Sequence, residues 1–426
     1  VMKGKMTAAV KTKPAFGSIE LQQVEAPKAK DDEVLVKMKI ASICGTDMHI
    51  YEWDPWSQNR IKTPLIQGHE WAAEVAEVGS ACTWAKVGDY VSGEGHIACG
   101  HCYQCRTGNA HVCNSVTILG IDRPGSFAEY MAVPERNLIK NDPGLSPEYA
   151  SIQDPLGNAV YTVFNGDCVA KDVAVFGLGP IGLMAVAICR HIGSKRVFAV
   201  GHKNEYRVKL AKKLGATRAI RSSEEDPVKA IMEGTDGMGV DEALEMSGSG
   251  EALNQAIKVL KPAGNIQILG IYGKPPTVNI SEFVTKGGAM YGIHGRRMFE
   301  DWYRMAGLFK SGIDLTPVIT HKFPLDVIAE AMELMRSGDC GKVALYPLEL
   351  MLVGYQSAHR ACHLQDVEAN AVCKRIYLRA EYVDGVGGHD AGYHGKQPVH
   401  VVRADYEFRI LARLVLPDAH DIGLGA

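Results

Sequence analysis

A glycine-rich turn between a strand and a helix constrains the fold of this 426-residue chain more than any other feature. Residues 177–182 follow the apolar run 172–176 and lead into a helical pattern that begins near Ile181. Glycines in such a turn let the backbone approach a pyrophosphate at the N-terminus of the helix. The sequence therefore predicts a dinucleotide site whose cofactor-binding positions include Gly177, Gly179 and Gly182.

The region around this turn alternates between apolar strands and helical stretches. Strands are predicted at 173–176 and 197–200, and helices at 181–191 and 204–214. This alternating order is typical of a parallel, doubly wound sheet. We therefore assign 155–294 to an α/β dinucleotide-binding domain of the Rossmann type.

Before this domain, short β-type runs such as 33–38 and 71–76 are separated by Gly, Pro and Asp turns, which predicts a mostly β domain. After it, helices are predicted at 298–311 and 325–337, and a strand at 342–345 returns to the first domain. The catalytic domain is therefore predicted to be discontinuous. Its two parts are 1–154 and 295–347, and an atypical C-terminal extension covers 348–426.

Four cysteines lie close together in a glycine-rich stretch, and we call them the cysteine quartet. Thiolates at this spacing can surround one tetrahedral zinc and leave no position for water, which makes a structural site. An iron–sulfur cluster is the alternative, because spacing alone does not exclude it. The odd total of 11 cysteines also favours metal binding in a reducing compartment over a disulfide framework. The quartet consists of Cys99, Cys102, Cys105 and Cys113.

A catalytic zinc needs about three protein ligands and one exchangeable position. Cys44 and His69 are the best candidates, since each lies beside a glycine and other polar side chains. Glu70 could bind the metal directly or support another ligand. Asp154 places a further carboxylate at the expected cleft between the domains.

Two polar side chains follow Cys44 at short spacing. Thr46 and His49 could relay the proton that an alcohol releases when it is oxidised. A closed zinc site, an open one and a nicotinamide site in one chain restrict the chemistry to hydride transfer at a carbon that carries a hydroxyl group.

The dinucleotide fingerprint also expects an acidic residue about 20 positions after the glycines, where it binds the ribose hydroxyls. This chain has Gly201 or His202 there instead. Lys203, Arg207 and a protonated His202 could accommodate a 2′-phosphate, whereas Glu205 or a backbone group could bind the ribose of NAD. At this point the preference between NAD and NADP stays open.

The charge and hydropathy patterns exclude two classes of partner. The chain has 46 Lys and Arg against 49 Asp and Glu, and it has no long basic run for nucleic acid or an anionic membrane. No stretch approaches the ~18 consecutive apolar residues of a membrane span, and the first residues lack the apolar region of a secretory signal. We expect a cytoplasmic protein with a small-molecule substrate.

These motifs resemble the zinc-containing medium-chain dehydrogenases, and the resemblance covers residues 6–347. It implies a GroES-like catalytic domain joined to the Rossmann domain, and assembly as a homotetramer. The more discriminating segments are 43–51, 53–58, 93–97, 155–160, 245–248 and 295–303.

The resemblance also implies roles for individual residues. Cys44, His69 and Glu70 bind a catalytic zinc, the position of Asp154 is that of a more distant ligand, and the cysteine quartet holds a structural zinc. Thr46 and His49 form the proton relay. Cofactor contacts are implied at Ile181, Arg207, Leu269, Gly270, Ile271, Ile293 and His294, and substrate contacts at His96 and Arg296.

The implied reaction is oxidation of the β-hydroxyl of L-threonine to 2-amino-3-oxobutanoate, with hydride transfer to NAD. A related polyol or 2,3-butanediol dehydrogenase is the first alternative, since it shares both zinc sites and differs mainly around 53–58. The second alternative is a zinc-containing nucleotide-binding protein without activity.

The extension 348–426 has no counterpart in this family. Clusters such as Cys362 with His363, or His389 with His394, indicate a metal site only faintly, and we predict an appended, poorly packed segment. The alternating stretch 399–406 could instead add an edge strand to the core or to a neighbouring subunit.

Overall fold

A computed structural model describes residues 4–347, and no helix in that part of the chain is long and apolar enough to cross a membrane. The metal clusters and edge strand predicted for the C-terminal extension lie outside the described residues. The strands are β1 (Lys5–Lys11), β2 (Ile19–Glu25), β3 (Glu33–Ser42), β4 (Leu65–Ile66), β5 (Glu70–Val78), β6 (Tyr90–Gly93), β7 (His96–Ile97), β8 (Thr117–Ile118), β9 (Tyr130–Pro134), β10 (Leu138–Lys140), β11 (Asp172–Phe176), β12 (Arg196–Gly201), β13 (Arg218–Arg221), β14 (Val240–Glu245), β15 (Leu260–Ile268), β16 (Ala289–Gly292), β17 (Ile319–Pro324) and β18 (Lys342–Tyr346). The α-helices are α1 (Gly45–Glu52), α2 (Pro55–Arg60), α3 (Tyr103–Arg106), α4 (Pro147–Ser151), α5 (Gln153–Asn165), α6 (Pro180–His191), α7 (Glu205–Lys213), α8 (Pro227–Gly234), α9 (Gly250–Val259), α10 (Ile280–Lys286), α11 (Glu300–Lys310) and α12 (Ile328–Ser337).

Six parallel strands form the nucleotide sheet, in the order β13-β12-β11-β14-β15-β16. The order reverses between β11 and β14, which is the doubly wound arrangement that the alternating sequence predicts. The apolar side chains of its strands pack into two separate core clusters, and each cluster also contains side chains of helices. Helices therefore cover both faces of the sheet. The predicted α/β fold class is confirmed.

The glycine-rich turn joins β11 to α6 at the carboxyl edge of this sheet. Gly177 has φ +100°, a conformation that a residue with a Cβ atom rarely adopts. A Cβ atom on Gly182 would overlap the carbonyl oxygen of Gly177, so the first turn of α6 can approach the strand only without a side chain there. At Gly179 the same atom would meet nothing within 4 Å, which leaves space beside the backbone N–H groups of α6.

A second large sheet has seven strands. Its order is β10-β6-β5-β3-β18-β17, and β9 also pairs with β3. The strand predicted at 342–345 is β18, and it pairs with β3 through Ala344 and Ser42. The chain therefore leaves this sheet, builds the nucleotide sheet and then returns.

The predicted elements and the observed ones differ mainly at their ends. α11 begins at Glu300, two residues after the prediction, because a turn over residues 298–299 precedes it. The first three residues of the predicted helix 325–337 form a 3-10 turn, Leu325–Val327, and α12 follows this turn. The helix ends at Gly338, whose φ of +80° is the left-handed conformation that terminates helices.

We expect Gly182→Ala to destabilise the fold by about 1–3 kcal/mol, because an added methyl group in a closely packed turn forces the backbone apart. Urea unfolding measures the change. The matched control is Gly179→Ala, which adds the same group to open space. Equal stability of the two variants would contradict the close approach at Gly182.

Candidate active site

The cysteine quartet is brought together by a short lobe that contains α3 and a 3-10 turn, Ala110–Val112. The Sγ atoms of Cys102 and Cys105 lie 3.5 Å apart, those of Cys102 and Cys113 lie 3.8 Å apart, and those of Cys99 and Cys105 lie 4.0 Å apart. A tetrahedral zinc with Zn–S bonds of about 2.3 Å requires edges of about 3.8 Å. The four thiols therefore fit one zinc ion, whereas a multi-iron cluster needs wider separations.

Backbone donors around the quartet favour thiolates. The N–H groups of Cys99 and Cys102 donate to the Sγ atoms of Cys113 and Cys99, at 3.3 and 3.4 Å. Hydrogen bonds from the backbone of Cys105 and Asn114 lower the pKa of the Cys102 thiol to about 6. Burial and the neighbouring thiols raise the pKa of Cys105 to about 12, so the thiolate, which is the form that binds metal, is favoured at Cys102 and not at Cys105.

A second cluster consists of Cys44, His69 and Glu70, whose ligand atoms all lie within 4.8 Å of one another. Cys44 is the N-cap of α1, and Glu70 is the first residue of β5. Burial alone would lower the pKa of His69, but the nearby charges of Cys44 and Asp47 raise it well above its ordinary value. The cluster therefore favours a positive charge.

Asp47 connects the two turns that carry these residues. Its carboxylate accepts hydrogen bonds from the backbone N–H of Cys44 at 2.9 Å and of Gly68 at 3.3 Å. The same carboxylate lies 4.0 Å from Nδ1 of His69, and it is completely buried. Nδ1 of His69 has no hydrogen-bond partner among residues 4–347, so Asp47 acts on the ring through its charge and fixes the neighbouring turns through its hydrogen bonds.

Lys342 forms a buried ion pair with Glu70. Its ammonium group pairs with Oε2 of Glu70 and also donates to the carbonyl oxygen of Ile43 at 2.6 Å. Oε1 of Glu70 is buried and has no hydrogen-bond partner. Buried polar atoms are rarely left unpaired, so this oxygen, a thiol and an imidazole fit a zinc ion that keeps an exchangeable position.

The structure places Asp154 differently from the expectation. Its carboxylate belongs to a third group, with Glu94 and His96, rather than to the set formed by Cys44, His69 and Glu70. Oδ2 of Asp154 pairs with the Arg296 guanidinium, which satisfies its charge within the protein. A buried carboxylate needs such a partner, and a neighbouring arginine provides one without any metal.

Arg296 also differs from the expectation that it binds substrate. It is 2% exposed, its guanidinium pairs with Glu94 and Asp154, and it lies over the ring of Trp302. A side chain with these partners is not open to a substrate carboxylate. His96 remains available, because its ring is part-exposed and only Nδ1 is held, by Glu94 at 2.9 Å.

The relay candidates Thr46 and His49 lie one turn apart on α1. Oγ1 of Thr46 is 3.8 Å from Sγ of Cys44, and the His49 ring is largely exposed. Nδ1 of His49 is 2.8 Å from the carboxylate of Asp54. Burial alone would raise the pKa of Asp54, but hydrogen bonds from Ser57 and His49 lower it, so it stays an acceptor for the ring.

The candidate cofactor residues line the carboxyl edge of the nucleotide sheet. Leu269, Gly270 and Ile271 follow β15, and Ile293 and His294 follow β16. Ligands bind at this edge of doubly wound sheets, beside the helix that carries Ile181.

At the end of β12, Nδ1 of His202 is 3.0 Å from Oγ of Ser222, and Nε of Arg207 donates to the carbonyl oxygen of Cys340. Both partners are neutral groups, so these contacts orient the two side chains without forming an ion pair.

Sequence reasoning gave no role to Asp47, Asp54, Glu94 or Lys342, although each holds a candidate residue. A local signal existed for Asp47, since an acidic residue three positions after the N-cap is typical of a capping box. Asp54 precedes Pro55, which marks the start of a helix. Lys342 gave no such signal, because Glu70 is distant in the sequence. The contact of Glu94 with Arg296 is also distant, although His96 lies only two positions from Glu94.

Two family descriptions match this chain. Residues 30–143 match the alcohol dehydrogenase GroES-like domain, and residues 180–311 match the zinc-binding dehydrogenase domain. The chain belongs to the zinc-binding dehydrogenase family of alcohol dehydrogenases. Within that family it is 49% identical to L-threonine 3-dehydrogenase of Caldanaerobacter subterraneus subsp. tengcongensis, over 81% of this chain and 100% of the relative.

Solved structures agree with this assignment. A zinc-binding dehydrogenase from Sinorhizobium meliloti bound to NADP has a TM-score of 0.74 at 27% identity, and the match covers 81% of this chain and 100% of that one. The 2R,3R-butanediol dehydrogenase of Bacillus subtilis has a TM-score of 0.72 at 30% identity, over 80% and 99%. The family resemblance predicted from the sequence is confirmed.

The buried ion pairs of Glu94 make the stability of the fold depend on pH. Burial alone would raise the pKa of Glu94, but Arg296 and His96 lower it to about 2 from an ordinary 4.5. The stabilisation is therefore complete above about pH 4.5 and is lost as the pH falls towards 2; it amounts to about 3 kcal/mol.

We expect Glu94→Gln to remove that part of the acid dependence and to lower stability at pH 7. Urea unfolding between pH 3 and pH 7 measures both effects. Glu251→Gln, which changes an exposed carboxylate on α9, is the control and should follow the wild-type pH dependence. An unchanged slope in the Glu94 variant would contradict the assignment.

Proposed function

We propose that this chain oxidises the hydroxyl group of L-threonine to 2-amino-3-oxobutanoate, with hydride transfer to NAD. The observation that carries the proposal is the 49% identity to an L-threonine 3-dehydrogenase along the whole length of that relative. The clustering of Cys44, His69 and Glu70, with one unpaired carboxylate oxygen, supports the chemistry.

The proposal includes two zinc ions in each chain. Cys44, His69 and Glu70 would hold the catalytic ion, with Asp154 paired to Arg296 beside them, and the cysteine quartet would hold the structural ion. When bound, zinc supplies a Lewis acid that acidifies a hydroxyl group, and NAD supplies a hydride acceptor.

Two side chains of α1, Thr46 and His49, would remove the proton of the substrate hydroxyl group. Oγ1 of Thr46, close to Sγ of Cys44, accepts the proton of the substrate hydroxyl and passes it towards the His49 ring. Asp54 holds Nδ1 of that ring, and the exposure of the ring lets it release the proton to water.

Other residues would orient the two reactants. The turn at Gly177, Gly179 and Gly182 would hold the pyrophosphate against the N-terminus of α6. The Ile293–His294 pair would flank the nicotinamide end. His96 would contact the substrate through Nε2, because Glu94 holds Nδ1.

The choice of NAD over NADP is part of the proposal. No acidic side chain occupies the ribose position, but two of the basic candidates are partly engaged within the protein, His202 with Ser222 and Arg207 with Cys340. These hydrogen bonds restrict the directions of the two side chains, and the guanidinium of Arg207 keeps its charge. The S. meliloti structure binds NADP, so NADP is the alternative to test.

A 2,3-butanediol or polyol dehydrogenase is the second candidate function. Its support is the matching fold of the butanediol enzyme, whose identity of 30% is well below that of the threonine enzyme. Location in the cytoplasm stays a prediction from the hydropathy pattern, and assembly as a homotetramer stays a prediction from the family resemblance.

The first test compares L-threonine with 2,3-butanediol as substrates of the zinc-loaded protein, with NAD and NADP in parallel. We expect threonine-dependent reduction of NAD, measured at 340 nm. Turnover of the diol alone would move the substrate to the second candidate. Tight NADH binding without turnover of either alcohol would favour a protein without activity.

Zinc content tests the two metal sites separately. We expect about two zinc ions in the wild-type chain and about one in each of the variants Cys44→Ser and Cys113→Ser, because each loses a ligand of a different site. The Cys44 variant should lose turnover and keep NADH binding, whereas the Cys113 variant should lose thermal stability. Full zinc content and activity in Cys44→Ser would refute the catalytic site.

A further inference from the structure

The short segment 338–342, between α12 and β18, contacts both halves of the proposed active site. Its first part receives hydrogen bonds from the loop after β12, where dinucleotide-binding folds hold the adenosine ribose. Its last residue is Lys342, which pairs with Glu70 of the candidate catalytic cluster. We call this segment the bridging segment.

Two hydrogen bonds join the ribose loop and the first turn of α7 to the bridging segment. Nδ2 of Asn204 donates to the carbonyl oxygen of Gly338 at 2.8 Å, and Nε of Arg207 donates to that of Cys340 at 3.0 Å. Oδ1 of Asn204 accepts from the backbone N–H of Arg207 at 2.9 Å, as the N-cap of α7. One amide group therefore fixes α7 and the bridging segment together.

The other end of the segment fixes the cluster. Lys342 is 2% exposed, and its ammonium group contacts Glu70 and the carbonyl oxygen of Ile43, the residue before Cys44. The backbone N–H of Ile43 also donates to the carbonyl oxygen of Val343 at 3.0 Å. A displacement of Lys342 would therefore move the carboxylate and the thiol together.

Between these ends the segment has little freedom to deform. The Cys340 side chain is completely buried, and a Cβ atom on Gly341 would overlap the carbonyl oxygen of Val318. The N–H of Gly341 donates to Oγ1 of Thr320 at 2.9 Å. Closely packed elements transmit displacements instead of absorbing them.

We propose that Asn204 is a positioning residue that couples cofactor binding to metal binding through the bridging segment. A cofactor bound at the ribose loop restrains the existing contact of Asn204 with Gly338, which restrains Lys342 and therefore Glu70. The bound cofactor then increases the affinity of the cluster for zinc, and by linkage zinc increases the affinity for the cofactor by the same factor. This inference rests on the proposed function, since it takes Cys44, His69 and Glu70 as zinc ligands.

The test measures the zinc affinity of the full-length protein by competition with a chromogenic chelator, with and without saturating NADH. The catalytic zinc is the fraction that is missing from Cys44→Ser. We expect NADH to raise the wild-type affinity for this zinc by about fivefold or more, which is the low end of typical couplings between sites. The NADH dissociation constant should rise by the same factor when this zinc is removed.

The variant Asn204→Ser breaks the bond to Gly338 and keeps a good N-cap for α7. We expect its zinc affinity without NADH to be equal to or below that of the wild type, and the effect of NADH to fall below about twofold. Asn279→Ser is the matched control, because Asn279 caps α10 in the same domain and does not contact the bridging segment. It should keep the full effect of NADH.

Gly338→Ala is the second variant. It disturbs the same hydrogen bond from the opposite side, since its Cβ atom would lie 3.1 Å from Nδ2 of Asn204 at φ +80°. If Asn204→Ser no longer binds NADH, the zinc affinity of Gly338→Ala with and without NADH tests the coupling instead. A full effect of NADH in either variant that binds NADH would overturn the inference.

The wild-type results separate this inference from the proposed function. Threonine turnover with a zinc affinity that NADH does not change would overturn the inference alone. A protein that neither turns over threonine nor binds a zinc ion that depends on Cys44 would overturn both.

Discussion

The ion pair between Lys342 and Glu70 is the interaction on which the rest of the site depends. Both side chains are almost completely buried, and a buried carboxylate without a partner costs several kcal/mol. Lys342 reaches Glu70 only because the chain returns from the nucleotide sheet as β18 and pairs with β3. The buried carboxylate of Glu70 therefore has a partner only because the chain returns to the first sheet.

The parts of the molecule that sequence reasoning predicted are those whose physics is local. The glycine turn follows from backbone conformations and close approaches within residues 177–182, and the quartet follows from the spacing of Cys99 to Cys113. The alternation of strands and helices likewise gives the parallel sheet. Only element ends shifted, because caps and 3-10 turns depend on neighbours.

The environments of Asp154 and Arg296 could not be read in the same way. Burial of an arginine depends on what packs over it, and its partner Glu94 lies 202 residues away in the chain. A sequence shows that a charge exists but not whether another charge already neutralises it. The role of Lys342 was not predicted for the same reason, since its contact with Ile43 spans 299 residues.

The pairing of β3 with β18 also has a consequence for how the chain folds. The seven-stranded sheet contains strands from both ends of the described chain, and the nucleotide sheet is built entirely from the residues between them. During synthesis the nucleotide sheet is complete while the edge of β3 that receives β18 is still unpaired. Unpaired strand edges are prone to aggregation, so the end of β3 at Ala41 and Ser42 is exposed in the newly made chain until β18 has been synthesised.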